Sequence, residues 1–206
     1  MTQYTIDHAK ELIQSISNVV LQNKDYLGEL DSKSGDGDLG MSMEAAFEAI
    51  NKTCHAYKGD DLGEMLLKSS LSCNKAAPST MGTLISSGIL SIAKELNGKS
   101  EIRESEIIDL PRIFTEGIKA RGKADLGDKT ILDALIPMYQ TIEKVYSESN
   151  DLDQSISAGA EAAETAAEET KGMQAKIGRA RWLGSRAAEN PDAGAMLCAI
   201  VAKSLL

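Results

Sequence analysis

Apolar residues recur at helical spacing along nearly the whole of this chain, and that periodicity limits the fold more than any other feature. Leu12, Ile13, Ile16, Val19 and Val20 mark 5–27 as one amphipathic helix, with Asp7 and Glu11 near its positive N-terminal end. Met43, Ala46, Phe47 and Ile50 form an i, i+3, i+4, i+7 stripe, and Glu44 and Glu48 face outward. Further helices are expected over 61–72, 84–96, 110–120, 130–145 (with Pro137 as a kink), the alanine-rich 156–170, and 196–206. Only four prolines interrupt 206 residues, and the 4% of aromatics is low for a sheet protein. Residues 97–107 read as polar loop, and no stretch alternates as a strand should. The expectation is an all-α fold of about eight helices in a single domain, 1–206, large enough to bury a sizeable core. In an up-down bundle alternate loops fall on the same end, which would gather 31–42, 78–83, 121–130 and 176–194 at one rim.

The first of those loops holds three carboxylates, Asp31, Asp36 and Asp38, at i, i+5 and i+7. Gly35, Gly37 and Gly40 permit a tight bend around something small. Carboxylates brought so close repel one another unless a cation neutralises them, and hard oxygen ligands suit magnesium or calcium. An EF-hand is excluded by position, because Asp36 stands where its glycine belongs and Ser42 where its glutamate belongs. Magnesium completes its shell with water and substrate phosphate, so the cluster suggests a phosphate-handling site. A polar, glycine-rich turn between two helices explains the same composition about equally well. Asp38 and Ser42 fall near the start of the following helix, whose free N–H groups favour a phosphate.

The other loops carry less specific signals. Ser79, Thr80 and Thr83 precede an apolar helix and either cap it, the commoner role, or contact a phosphate. No P-loop pattern is present. In 121–133, Lys123 and Lys129 each stand within two residues of a glycine, and Asp128 is placed to N-cap the next helix. Lys171, Lys176, Arg179, Arg181 and Arg186, interleaved with Gly178 and Gly184, form either an anion site or a patch balancing nearby glutamates.

A formal charge of −9 argues against nucleic-acid and anionic-membrane surfaces. Cys54, Cys73 and Cys198 lack metal-ligand spacing and read as reduced, buried thiols, which points weakly to the cytoplasm. No secretory h-region opens the chain, and no apolar run reaches membrane-spanning length. His8 and His55 lie outside the motif loops, on helix surfaces.

Taken together, Gly35-Asp-Gly-Asp-Leu-Gly40, Ser79-Thr-Met-Gly-Thr-Leu84, Arg121-Gly-Lys-Ala-Asp-Leu-Gly-Asp-Lys-Thr130, Gly178-Arg-Ala-Arg-Trp-Leu-Gly184 and Asp192-Ala-Gly-Ala195 resemble the ADP-binding (L) subunit family of bacterial dihydroxyacetone kinases, over nearly the whole chain. The resemblance implies an antiparallel eight-helix barrel with ADP or ATP in the loops at one end. It implies two magnesium ions held by Asp31, Asp36 and Asp38. Ser42, Thr80, Met81 and Gly82 would lie along the phosphates, the last two by backbone N–H. Asp128, Lys129 and Thr130 belong to the motif that helps close the pocket. Gly178, Arg179, Asp192 and Gly194 would lie toward the nucleoside. The family commonly has His where Leu39 stands and a hydroxyl where Met81 stands, with Thr80 or Ser79 as the substitute hydroxyl; Asp192-Ala193-Gly194-Ala195 replaces Asp-Pro-Gly-Ala.

The implied activity is transfer of a phosphoryl group from Mg-ATP, or from bound ADP recharged by a phosphohistidine (M) subunit, to dihydroxyacetone held on a separate substrate-binding (K) subunit. The ketone-anchoring histidine belongs to that partner, and none occurs in the motif loops here. No catalytic side chain beyond the metal ligands is expected on this chain, and a homodimer is a further assembly to test. Other readings are a kinase for another short ketose such as erythrulose, the nucleotide domain of a fatty-acid-kinase-like system, a nucleotide-loaded protein that binds a regulator, and a helical barrel carrying a lipid.

Overall fold

A computed structural model describes residues 3–206, apart from the side chains of Ser185 and Arg186. Ten α-helices are present among the described residues. They are α1 (Ile6–Gln22), α2 (Lys24–Ser32), α3 (Leu39–Ala56), α4 (Leu62–Ala76), α5 (Thr80–Glu95), α6 (Glu104–Ile107), α7 (Leu110–Gly122), α8 (Leu132–Ser149), α9 (Leu152–Glu169) and α10 (Ala193–Lys203). A 3-10 segment, Arg179–Glu189, lies between α9 and α10.

Eight of these, α1, α3, α4, α5, α7, α8, α9 and α10, pack in chain order, and α10 returns to α1. The ring is therefore closed, and successive helices run in alternate directions, as the barrel expectation requires. Val20, Leu27, Met43, Met65, Ile118, Leu132 and Leu197 fill its interior with under 2% exposure. All three cysteines are free and buried, and burial pushes the Cys73 thiol up to about 11. In α9 the alanines at 160, 163 and 167 are buried, and Gly159 receives the Ile142 side chain of α8, so the small residues let these two helices approach closely.

Three expectations need correction. The single helix over 5–27 is two, α1 and α2, broken at Asn23 (φ −105, ψ 8), where the Val19 carbonyl accepts both the Asn23 backbone N–H (3.2 Å) and its side-chain amide (2.8 Å). Residues 97–107 are not plain loop. They contain β2 (Glu101–Arg103), which pairs antiparallel with β1 (Gln3–Thr5), Tyr4 opposite Ile102, and then α6. Strands of three residues are too short to show alternation. Finally, Asp128 does not N-cap the helix after it, a point taken up below. His8 and His55 are exposed on helices, as expected, and His8 Nδ1 accepts the Thr5 N–H (3.1 Å) in a capping box at the start of α1. Among the described residues no helix is long and apolar enough to cross a membrane.

Candidate metal and phosphate site

Because the ring alternates, α3, α5, α8 and α10 begin at the same end. Contacts join their first turns. Ser42 in α3 donates its hydroxyl to Ser79, the N-cap of α5 (2.7 Å). Gly194 in α10 is so close to α5 and α8 that a Cβ there would meet Met81 Cε at 2.6 Å and Ile131 Cβ at 3.4 Å. Four helix N-termini thus face one rim, and their dipoles favour an anion there.

The acidic cluster sits on this rim. Asp31 is on the last turn of α2, Asp36 in the loop, and Asp38 at the N-cap position of α3, where its side chain makes no capping bond. One oxygen from each carboxylate lies within 4.8 Å of the others. Asp31 also builds the bend, since its Oδ2 accepts from Gly37 N–H (2.9 Å) and its carbonyl from Ser34 N–H (2.9 Å) and Gly35 N–H (2.5 Å). Gly37 turns the chain at φ 77, and a Cβ on Gly35 would strike the Asp31 carboxylate. Gly40 lets α3 cross α2 in backbone contact, because a Cβ there would overlap the Lys24 carbonyl. Three hard oxygens this close fit a dication with metal–oxygen distances of about 2.1 Å after small side-chain rotations. The Arg179 guanidinium pairs with Asp36 across the mouth.

Ser42 stands one helical turn from Asp38 (Ser42 N–H to Asp38 carbonyl, 2.9 Å), and its bond to Ser79 joins it to the start of α5, where Thr80 and Met81 follow. Gly82 departs from the expectation. Its N–H is taken by the Ser79 hydroxyl (3.1 Å) in an N-cap, so Thr80 and Met81 are the backbone donors left for a phosphate. Ser79 is thus the cap of α5 and the hydroxyl that receives Ser42.

The 122–133 turn is scaffolding more than lining. Asp133, passed over in the sequence because it reads as an ordinary helix residue, is buried and accepts from Gly127 N–H (2.6 Å) and Thr130 N–H (2.7 Å). Asp133, the second residue of α8, thus reaches back and ties the preceding turn to the start of the helix, while no side chain among the described residues N-caps α8. The Asp128 carboxylate braces its own turn through Asp125 N–H (2.8 Å) and pairs with Lys176 (3.3 Å). Thr130 Oγ1 accepts from Leu132 N–H (3.2 Å). Lys129 has φ 60, is 3% exposed, and donates from Nζ to the carbonyls of Ala187 (2.6 Å) and Asn190 (2.8 Å).

Asp192 and Gly194 underlie the rim. Asp192, half-buried, N-caps α10 by accepting from Ala195 N–H (2.8 Å), and its own N–H donates to the buried Thr170 hydroxyl (2.7 Å). Burial pushes the Asp192 carboxyl up to about 6, against the pull of Ala195 N–H and Lys129, while Asp133 adds to the rise. Burial pulls the Lys129 ammonium down, and Asp192 opposes that. Arg179, expected toward the nucleoside, stands against Asp36 of the acidic cluster, the carboxylate its guanidinium neutralises in the free chain. Gly178 precedes it at φ 72, ψ −167, a conformation reserved for glycine. Arg181 lies over the Trp182 ring (4.6 Å), and Arg186 falls outside the described side chains.

The DAK2 domain family model matches residues 33–206, beginning just past Asp31. The chain is 28% identical over 171 residues to the PEP-dependent dihydroxyacetone kinase, ADP-binding subunit DhaL, of Escherichia coli (strain K12), covering 83% of this chain and 81% of that one. It is 29% identical over 198 residues to the ADP-binding subunit DhaL of PEP-dependent dihydroxyacetone kinase 2 from Listeria innocua, covering 94% and 91%. The fold is similar to that in the crystal structure of the dihydroxyacetone kinase from C. freundii in complex with AMP-PNP and Mg2+, with a TM-score of 0.70 and 23% identity over 95% of this chain and 33% of that one.

Proposed function

The chain belongs to the DAK2 domain family, and on that premise we propose that residues 1–206 work as one unit, the nucleotide-bearing subunit of a dihydroxyacetone kinase. It would act with a separate subunit that holds the ketone. The observation that carries this reading is the convergence of Asp31, Asp36 and Asp38 on the rim where the N-termini of α3 and α5 meet. Relatives named as ADP-binding and PEP-dependent support ADP as a retained coenzyme, recharged by a phosphohistidine protein rather than exchanged for free ATP.

Asp31, Asp36 and Asp38 would hold magnesium, and three carboxylates suit two ions better than one. When bound, the metal supplies neutralisation of phosphate charge. The chain's own residues then do the positioning. First-turn N–H groups of Thr80 and Met81 would donate to phosphate oxygens, Ser42 would join them by turning its hydroxyl from Ser79 to the phosphate, and the helix N-termini add fixed positive potential. Asp31 keeps the loop in shape through Gly37 while offering its other oxygen outward. Such a site catalyses by alignment and electrostatics, with the acceptor hydroxyl brought by the partner.

Native mass spectrometry of the gently purified protein, with titration calorimetry of Mg-ADP on Asp36→Asn and Asp38→Asn, tests the proposal. The wild type should carry ADP with two magnesium ions, and either variant should lose at least about tenfold in affinity. Unchanged Mg-ADP binding in both variants would overturn it.

A further inference from the structure

Between α9 and α10 the chain leaves the barrel over 171–190 and is pinned where it departs and returns. Gly172 N–H donates to the Ala188 carbonyl (2.8 Å), and Lys176 N–H to the Asp128 carbonyl (3.2 Å). The tip is loosely built, since Gly178 and Gly184 have positive φ and no atom lies within 4 Å of where a Cβ would stand. From this tip Arg179 reaches Asp36, and Trp182 is 79% exposed.

Lys129 is the deepest of the pins. An ammonium that is 3% exposed must find acceptors for its N–H groups, and two of them go to the carbonyls of Ala187 and Asn190, 58 and 61 residues away. Asp192 supplies compensating negative charge. A lysine meant for a phosphate would keep its ammonium in the open mouth, whereas this one is committed beneath it. Its left-handed backbone, disfavoured for a lysine, aims the side chain inward.

We propose that Lys129 is a positioning residue of the phosphoryl-donor site: by gripping the Ala187 and Asn190 carbonyls it fixes the root of 171–190 and so sets where Arg179 stands over the acidic cluster. The ligand served is a magnesium-complexed nucleoside diphosphate, so the inference rests on the nucleotide-site reading above. Lys129 acts on that ligand through Arg179 and does not touch it.

Trp182 is the only tryptophan of the sequence, and it lies on the segment in question. In Lys129→Met its fluorescence anisotropy without nucleotide should fall, and the Mg-ADP dissociation constant should rise on the order of tenfold to a hundredfold. Arg179→Ala should weaken Mg-ADP as well, and the double variant should bind within about twofold of Arg179→Ala alone, because the two act in series. Lys129→Arg, which keeps charge and donors, should recover part of the loss. If Lys129→Met does not fold, Lys129→Gln, which retains N–H donors on a shorter neutral arm, takes its place with the same expectations. Unchanged Trp182 anisotropy, or penalties that multiply in the double variant, would overturn the inference. A wild type that fails to bind Mg-ADP would instead sink the nucleotide-site reading, while the anisotropy result still reports whether Lys129 anchors the segment.

Discussion

Ser42 and Ser79, 37 residues apart, share a 2.7 Å hydroxyl–hydroxyl hydrogen bond that ties the first turn of α3 to the N-cap of α5. Ser79 is the more heavily used of the two, since it also accepts from Gly82 N–H.

Ser79→Ala should therefore remove a cap and leave Ser42 without its acceptor, costing about 1–2 kcal/mol in urea unfolding. Ser42→Ala keeps the cap and should cost less than about 1 kcal/mol. Equal losses in the two variants would contradict this division of roles.

Gly40 and Gly28 make a sharper pair. A Cβ on Gly40 would overlap the Lys24 backbone carbonyl, which cannot swing aside, whereas one on Gly28 meets only the Gly37 carbonyl at 3.5 Å. Gly40→Ala should destabilise by about 2–4 kcal/mol and, by prising α3 from α2, also weaken magnesium binding as Asp31 and Asp38 separate. Gly28→Ala, inside α2, should be neutral or stabilising by up to about 1 kcal/mol from helix propensity. Thermal unfolding with and without magnesium reads both effects.

Asp192 gives a pH signature. Its folded pKa, about 6, lies above its ordinary value of 3.8, so the folded state binds the proton more tightly than the unfolded state. The stability this contributes is fully present below about pH 4 and is lost as pH rises through 6, a change on the order of 2–3 kcal/mol. Asparagine caps a helix about as well but does not titrate. Asp192→Asn should thus gain on the wild type between pH 4 and 7, as the difference between their denaturant midpoints at each pH. A flat difference across that range would mean that Asp192 is solvated in the folded protein.

Helix positions were readable because the 3.6-residue period needs only neighbours along the chain, and the ring of eight follows from consecutive packing of the helices so identified. The break at Asn23 was not readable, because neither glycine nor proline marks it. Asp31, Asp36 and Asp38 were readable as a cluster because eight residues with two glycines can hardly hold them apart. Side chains whose partners lie far along the chain were another matter. Lys129 and Arg179 both stood out as basic residues near glycines, yet only ring closure turned one inward to carbonyls at 187 and 190 and the other to Asp36. Local composition thus settled the helices, the acidic bend and the charge. Where each cap, clamp and arginine points was settled by tertiary packing, because burial leaves a polar group only those partners that the closed ring brings within hydrogen-bond reach.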